Sequence, residues 1–496
     1  MKEDIRMSKS KRRRHRKIST AGIFGRLISI LLLLASAAFT GLLYYSGLVP
    51  EKLLLLGGIV LIAFVLIVFI MTRNAESKLR YVIGLLIAFL LIAVLAVSGM
   101  YLFKTMQTAK KISAFKEEVT QVGLYVKAGN EDSFDVTNVE YRYGILTALD
   151  KENTNSAIVQ LRDTYSIPVM TKEFQTLADL VDAVETDKVD VIIMNSAYMD
   201  VLEEMDGYSD IRDRIKEVML QSITTKVGDD VRKPYQDGNT FALYISGIDT
   251  RTEELISKSR SDVNILAIVN TKSHQILLLS TPRDYFVPLS ISDGQRDKLT
   301  HAGIYGVRVS MDTLGMLYDI DVDYHFRVNF TGFERIIDAL GGVTVYSEKS
   351  FQGLDYYFSE GENTLNGAEA LAFCRERYAF EDGDNQRGRN QLAVVRAVIN
   401  KAMSVDMLLH YTEVLDAVEG SFEMSMPYDM ISTIVKKQLD NPAKWNIVQY
   451  SVTGTGSEAV PYSMSQSAYV MIPDEESVSK AIDLIQQVYA GATIKQ

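Results

Sequence analysis

Three stretches of this chain carry no charged residue: Leu27 to Val49, Leu53 to Met71 and Tyr81 to Phe103. A hydrocarbon core of about 30 Å takes roughly 20 apolar helical residues to cross, so each stretch is long enough to span a bilayer. Three in succession, separated only by short polar loops, fit membrane spans better than buried core helices. The loops predict the orientation. Ahead of the first run stand Lys9, Lys11, Arg12, Arg13, Arg14, Arg16 and Lys17, and the loop before the third carries Arg73, Lys78 and Arg80. Basic loops stay on the cytoplasmic side, so a multi-pass cell-membrane protein is expected, with its N-terminus inside and everything after Phe103 outside. Ala35-Ser36-Ala37 resembles a signal-peptide cleavage site, but it lies in the middle of an apolar run, and an uncleaved anchor is expected.

Charge sorts along the same lines. Residues 1–26 hold ten Lys and Arg against Glu3 and Asp4, so a chain of net charge −11 carries −19 on the remainder. An anionic leaflet and topology already account for the basic head, and DNA is not an expected partner. On the acidic remainder, any anion site must be local. The single cysteine, Cys374, rules out an intramolecular disulfide framework, and a buried structural thiol is expected there.

At 496 residues the chain is long enough for about three units. The expected division is a basic head (1–26), three transmembrane helices (27–103), a small α/β accessory domain with its linker (104–238) and a large α/β/α sandwich (239–496). Lys104 to about Val119 reads as a helical exit from the membrane. In the accessory part, Gln121–Val126 and Val189–Met194 read as strands, Leu177–Val184 as a helix and Met199–Gln221 as a helix-rich stretch. The polar run Lys226–Asn239 suits a linker. From Thr240 the apolar runs Phe241–Ser246, Val263–Val269 and Gln275–Ser280 suit central strands covered on both faces. Amphipathic helices are predicted over Val309–Tyr318, Gly332–Leu340, Gly367–Arg375 and Gln386–Met403.

There is no Walker-type loop, HExxH or GxSxG, and the five histidines have no metal-ligand spacing. What stands out is arginine and aspartate at element ends. Asp249 follows the first predicted strand, Arg260 and Asp262 flank the start of the second, and Arg283 follows the third. Arg260 and Asp262, two apart in an extended segment, should point the same way. A second cluster holds Arg375, Arg377, Asp384, Arg387 and Gln391. Arg387 and Gln391 share a helical face. Asp384 is placed to cap that helix or orient a guanidinium. Guanidinium forks match phosphate oxygens, and hard carboxylate oxygens suit Mg²⁺. The residues alone define an anion or phosphate site with room for a metal.

At these residues the chain resembles the LytR–CpsA–Psr family of cell-wall glycopolymer transferases. The resemblance covers about residues 239–496 and is carried by GIDT (247–250), RSDVNILAIVN (260–270), STPRD (280–284), KLTHAGIYG (298–306) and VNFTGFERIIDALGGV (328–343). Its most telling part is LNGAEALAFCRERY followed by DNQRGRNQ (365–378 and 384–391). The three spans and extra domain look like the capsule-associated CpsA branch. Where relatives often place a second basic residue before the glutamine, this chain has Asn390.

The resemblance implies transfer of a glycopolymer, capsular polysaccharide in this branch, from a polyprenyl diphosphate carrier onto peptidoglycan. It implies Asp249 and Asp262 as Mg²⁺ ligands. Arg260, Arg283, Arg375, Arg377 and Arg387 would line the phosphates with Gln391 beside them, and Asp384 would hold the arginines in place. Apolar residues between Val309 and Val343 would line a cavity for the polyprenyl tail. Other capsule-assembly membrane proteins are further candidate partners. Two other readings stay open: a polyprenyl-diphosphate hydrolase, and a non-enzymatic lipid-binding regulator of capsule synthesis.

Overall fold

The structure is a computed structural model of the chain and describes residues 20–47, 49–73, 77–112, 117–226, 239–248, 258–380, 383–404, 407, 414 and 417–495. It divides into two compact units, Met1–Gln107 with Val435–Asp440, and Thr108–Ile434 with Asn441–Gln496.

The first unit contains α1 (Thr20–Ser46), α2 (Glu51–Thr72) and α3 (Lys78–Ile112), each long and apolar enough to cross a membrane. Small residues let the helices approach. A Cβ on Gly25 would lie 2.5 Å from the Thr72 carbonyl oxygen, and the Thr72 hydroxyl donates to the Gly25 carbonyl at 3.2 Å. In helices of this kind such close crossings would supply the packing that lipid does not drive. The helical exit expected to reach Val119 stops at Ile112, and a strand is already formed from Glu117.

In the second unit, a first sheet is built from β1 (Glu117–Lys127), β2 (Arg142–Leu146), β3 (Met170–Phe174), β4 (Val191–Asn195) and β5 (Ile215–Lys226). Their order is β3-β2-β4-β1-β5; β2, β3 and β4 run parallel, and β1 is antiparallel to both β4 and β5. Strand periodicity divides β4 between two cores. Val191 and Ile193 pack with Ile158 and Leu161 of α4 (Lys151–Tyr165), while Ile192 and Met194 pack with Leu180 and Val184 of α5 (Leu177–Glu185). The stretch expected to be helix-rich to Gln221 is helical in α6 (Tyr198–Glu203) and in a single turn, Ile211–Arg214. From Ile215 it is strand, because the edge of β1 offers a long ladder from Glu117 to Lys127.

The second sheet contains β6 (Thr240–Ile248), β7 (Ser261–Asn270), β8 (Gln275–Thr281), β9 (Tyr324–Asn329), β10 (Phe422–Met424) and β11 (Asn446–Ser451), in the order β10-β9-β6-β7-β8-β11. β6 is antiparallel to β7 and parallel to β9; β8 is antiparallel to β7 and parallel to β11. All seven residues of β8 are buried, as a strand covered on both faces requires. Leu277 and Leu279 meet α7 (Val307–Tyr318) on one face. Beside it on that face lies α12 (Glu475–Tyr489), numbered after the four helices that intervene in the chain: α8 (Phe330–Ala339), α9 (Gly367–Arg375), α10 (Gly383–Ala402) and α11 (Tyr428–Asp440). On the other face Ile276 and Leu278 pack with Leu392 and Val395 of α10 and with Met430 and Ile431 of α11. The result is the expected α/β/α sandwich. The polar run expected as a linker lies, from residue 227 to 238, outside the described residues.

Candidate functional site

The carboxyl ends of β6, β8, β9 and β11 and the amino end of β7 share one edge of the second sheet. Open α/β sheets hold ligands at such an edge. A cavity of about 340 Å³ opens there. Ile245, Val263, Val328, Phe330, Phe333 and Val395 are on its apolar side; Asp262, Arg283, Arg375, Arg377, Arg387 and Gln391 supply the polar groups. Six of the residues singled out in the sequence therefore converge. Of the apolar stretch expected to line it, Val328, Phe330 and Phe333 do so. Met311, Leu314 and Tyr318 are instead committed to the core on the opposite face of the sheet.

Asp262 reaches the cavity because of a register shift. Gly247 pairs with Val263 and Ile248 with Ser261, leaving Asp262 as the extra residue of a β-bulge. A bulge re-aims its side chain and breaks the two-residue alternation. Its Oδ1 accepts from Arg283 Nη1 at 3.1 Å and from the Thr300 hydroxyl at 3.3 Å. Burial works against the charge on Arg283, yet Asp262, then Asp284 and Glu204, hold the guanidinium above its ordinary pKa. The cavity thus keeps a permanent cation against a carboxylate.

The other arginines are set by two helices. α9 begins with a capping box in which the Asn366 side chain accepts from Glu369 N and the Glu369 carboxylate accepts from Asn366 N. Its last turn ends at Arg375, where α10 closes it: Asn390 Nδ2 donates to the Phe373 carbonyl at 3.3 Å and Gln391 Nε2 to the Cys374 carbonyl at 3.5 Å. These amides take up carbonyls that a helix end leaves unpaired. Asn390, the departure from the family pattern, is thus a buried tie between the two helices. The Arg375 guanidinium lies 4.7 Å over the Phe330 ring, and Arg377 lies 4.7 Å over Tyr378 and donates to its hydroxyl at 2.6 Å. Burial pushes the Cys374 thiol up to about 12, so it behaves as core.

Arg260 is not part of the cavity lining. The bulge sends it away from Asp262, and its Nη1 donates to Glu204 at 2.5 Å, with Nε 3.5 Å from Asp200. Glu204 also accepts from Lys298 Nζ at 2.6 Å, and Lys298 lies 3.9 Å from Asp284, itself 3.4 Å from Arg283. Alternating charges therefore connect the segment after α6 to the cavity. Despite its burial, Lys298, then His301 and Arg260, keep the Glu204 carboxyl below the usual carboxylate range. Sequence reasoning missed Glu204 because nothing around it forms a motif; Lys298 had a signal, standing first in KLTHAGIYG.

Asp249 lies outside the described residues. Asp384 falls in the first turn of α10, and its side chain lies outside what is described. Among the described residues, no group of three or more His, Cys, Asp and Glu is placed to hold a metal ion.

The comparisons with known proteins place the chain in a family. The model of the LytR_cpsA_psr family matches residues 196–483, more than half of the chain. The chain belongs to the LytR–CpsA–Psr family. The match begins ahead of residue 239, and so takes in the segment that carries Asp200 and Glu204. The polyisoprenyl-teichoic acid–peptidoglycan teichoic acid transferase TagU of Bacillus licheniformis is 30% identical over 240 residues, covering 48% of this chain and 74% of that protein. The TagT transferase of Bacillus subtilis, with the same description, is 36% identical over 199 residues, covering 38% and 61%. The solved structure of B. subtilis TagV is 25% identical, covers 52% of this chain and 99% of that one, and has a TM-score of 0.44.

Proposed function

We propose that this protein is a cell-wall glycopolymer transferase that moves a glycan, capsular polysaccharide in particular, from a polyprenyl diphosphate carrier onto peptidoglycan outside the cell. The observation that carries this reading is the convergence of Arg283, Arg375, Arg377 and Arg387 on a cavity whose other side is apolar. A diphosphate with a hydrocarbon tail is amphipathic in the same sense. The transferase descriptions of TagU and TagT support the reaction class, and three membrane-crossing helices suit a donor that resides in lipid.

The acceptor hydroxyl oxygen forms a bond to the glycan-side phosphorus. The bond from that phosphorus to the bridging oxygen breaks, and polyprenyl phosphate leaves with the electron pair and, in net, the hydroxyl proton. Phosphoryl transfer depends on positioning and on stabilising charge at the transferred oxygens. The guanidinium groups, fixed by Asp262, Phe330 and Tyr378, are preorganised donors for that charge. In this reading Asp262 and Asp249 would hold Mg²⁺, a carboxylate set too small to cage the ion without phosphate oxygens and water. The ion would supply further neutralisation of the diphosphate.

The test is transfer of labelled lipid-linked glycan to peptidoglycan by the full-length protein. Arg283→Ala and Arg375→Ala should each lower the rate by roughly 100-fold, the usual effect of losing one transition-state donor. Wild-type rates in both variants would overturn the assignment. Release of free glycan phosphate, with none on peptidoglycan, would establish the hydrolase instead.

A further inference from the structure

The cavity does not exhaust the polar space around α10. Arg387, Gln391 and Val395 face the cavity, whereas Asn385, Arg389, Arg396 and Asn400 fall on another side of the same helix, at 100° per residue. That second stripe borders a groove of about 940 Å³, closed across from it by Tyr346 and by Gln449, Tyr450 and Ser451 of β11. Its chemistry differs from that of the cavity. Amides, hydroxyls and two tyrosines dominate, and Glu348 and Glu362 offset Arg389 and Arg396. Balanced charge, paired donors and acceptors and the exposed Tyr346 ring suit an uncharged saccharide polymer rather than a phosphate. Gln449 Nε2 and Ser451 Oγ are buried with no hydrogen-bond partner among the described residues. Buried polar atoms are ordinarily satisfied, so these two are placed for partners from a ligand.

A pocket of about 20 Å³ at the ends of β8 and β11 lies between groove and cavity, placed as a passage: it shares Asn385 and Ser451 with the groove, and Asp262, Arg283, Arg387 and Gln391 with the cavity. It has room for a group the size of a hydroxyl. Gly388 lines it, and a Cβ there would come within 3.3 Å of the Ser280 hydroxyl and 3.9 Å of that of Ser451. Glycine inside a helix costs about 1 kcal/mol relative to alanine; here its missing side chain keeps the passage open.

We propose that the groove binds the acceptor, a peptidoglycan glycan strand lying along α10, and that the passage beside Gly388 admits one of its hydroxyls to the phosphorus. The assignment rests on the transferase reading but is tested without the donor. Soluble, uncrosslinked peptidoglycan strands carrying a fluorophore are titrated with the full-length protein in detergent. Arg396→Ala with Asn400→Ala, both at exposed helix positions, should weaken strand binding at least tenfold, while Arg375→Ala with Arg377→Ala leaves it within twofold. Polyprenyl diphosphate binding should show the reverse pattern. Gly388→Leu should bind both ligands and lose at least tenfold in transfer. Wild-type strand affinity in the Arg396/Asn400 variant, or no strand binding by the wild type, overturns the groove. Polyprenyl diphosphate retained by the Arg375/Arg377 variant overturns the donor site instead and leaves the strand result standing.

Discussion

Arg283 lies between Asp262 at 3.1 Å and Asp284 at 3.4 Å, and Asp284 in turn faces Lys298. Arg260 ends in Glu204, beyond the cavity lining. Two arginines with the same sequence-level expectation therefore have different consequences when removed. Arg260→Ala takes a partner from Glu204 in a partly buried pair and should cost about 2 kcal/mol of stability, less than a fully buried pair. Its polyprenyl diphosphate affinity should stay within threefold of wild type. Arg375→Ala removes no ion pair among the described residues, only the stacking on Phe330, and should lower the unfolding midpoint less than Arg260→Ala does. It should weaken the same ligand roughly 30-fold, the effect of losing one charged hydrogen bond. Thermal unfolding and equilibrium binding on the two variants separate the roles; a large affinity loss in Arg260→Ala with an unchanged midpoint would return that residue to the phosphates.

Strand β9 carries a group whose burial makes the second sheet sensitive to acid. Burial first, and Arg327 second, lower the pKa of His325 to about 3. An unfolded chain takes up that proton near pH 6.5 while the native one refuses it. This contribution is full above about pH 6.5 and is lost as pH falls toward about 3, by up to ~1.4 kcal/mol per pH unit. Urea unfolding at pH 7.5, 6 and 5, followed by the single tryptophan, Trp445, should show the decline, and His325→Gln should flatten it. Equal slopes in the two proteins would assign the acid sensitivity elsewhere. At the same scale, the amide ties from α10 to the end of α9 make the arginine loop an extension of two helices rather than an independent segment. That is why DNQRGRNQ and LNGAEALAFCRERY act as one site although they are separate in the chain.

The two sheets of the second unit share a core. Ile304 and Met464 and Ala468, from segments around the second sheet, are buried with Leu180, Ile192 and Val201 of the first. With Glu204 bound to Arg260 and Lys298, this predicts joint unfolding. Excising residues 117–226 would expose those apolar side chains and strip the carboxylate from the buried Lys298 and the half-buried Arg260. The shortened protein should unfold roughly 10 °C lower, several kcal/mol at 2–4 °C each. An unchanged midpoint by calorimetry would mean that the first sheet is an independent appendage.

Periodicity and run length were enough to foresee three helices long and apolar enough to cross a membrane, the central strands β6 to β8 and helices α7 to α10, because burial on one or both faces leaves a local pattern. The sequence also named most of the cavity's charged residues, since arginine and aspartate at strand ends already imply an anion site. It did not foresee that Ile215–Lys226 is a strand: pairing along β1 outweighed local helix signals. Nor did it foresee that Arg260 and Asp262 diverge, which a one-residue bulge against Gly247 and Ile248 decides. Glu204 and the groove along α10 were equally hidden, because their partners are distant in the chain. Local sequence dictates which elements form and which charges they carry; register and packing between distant segments dictate where those charges point.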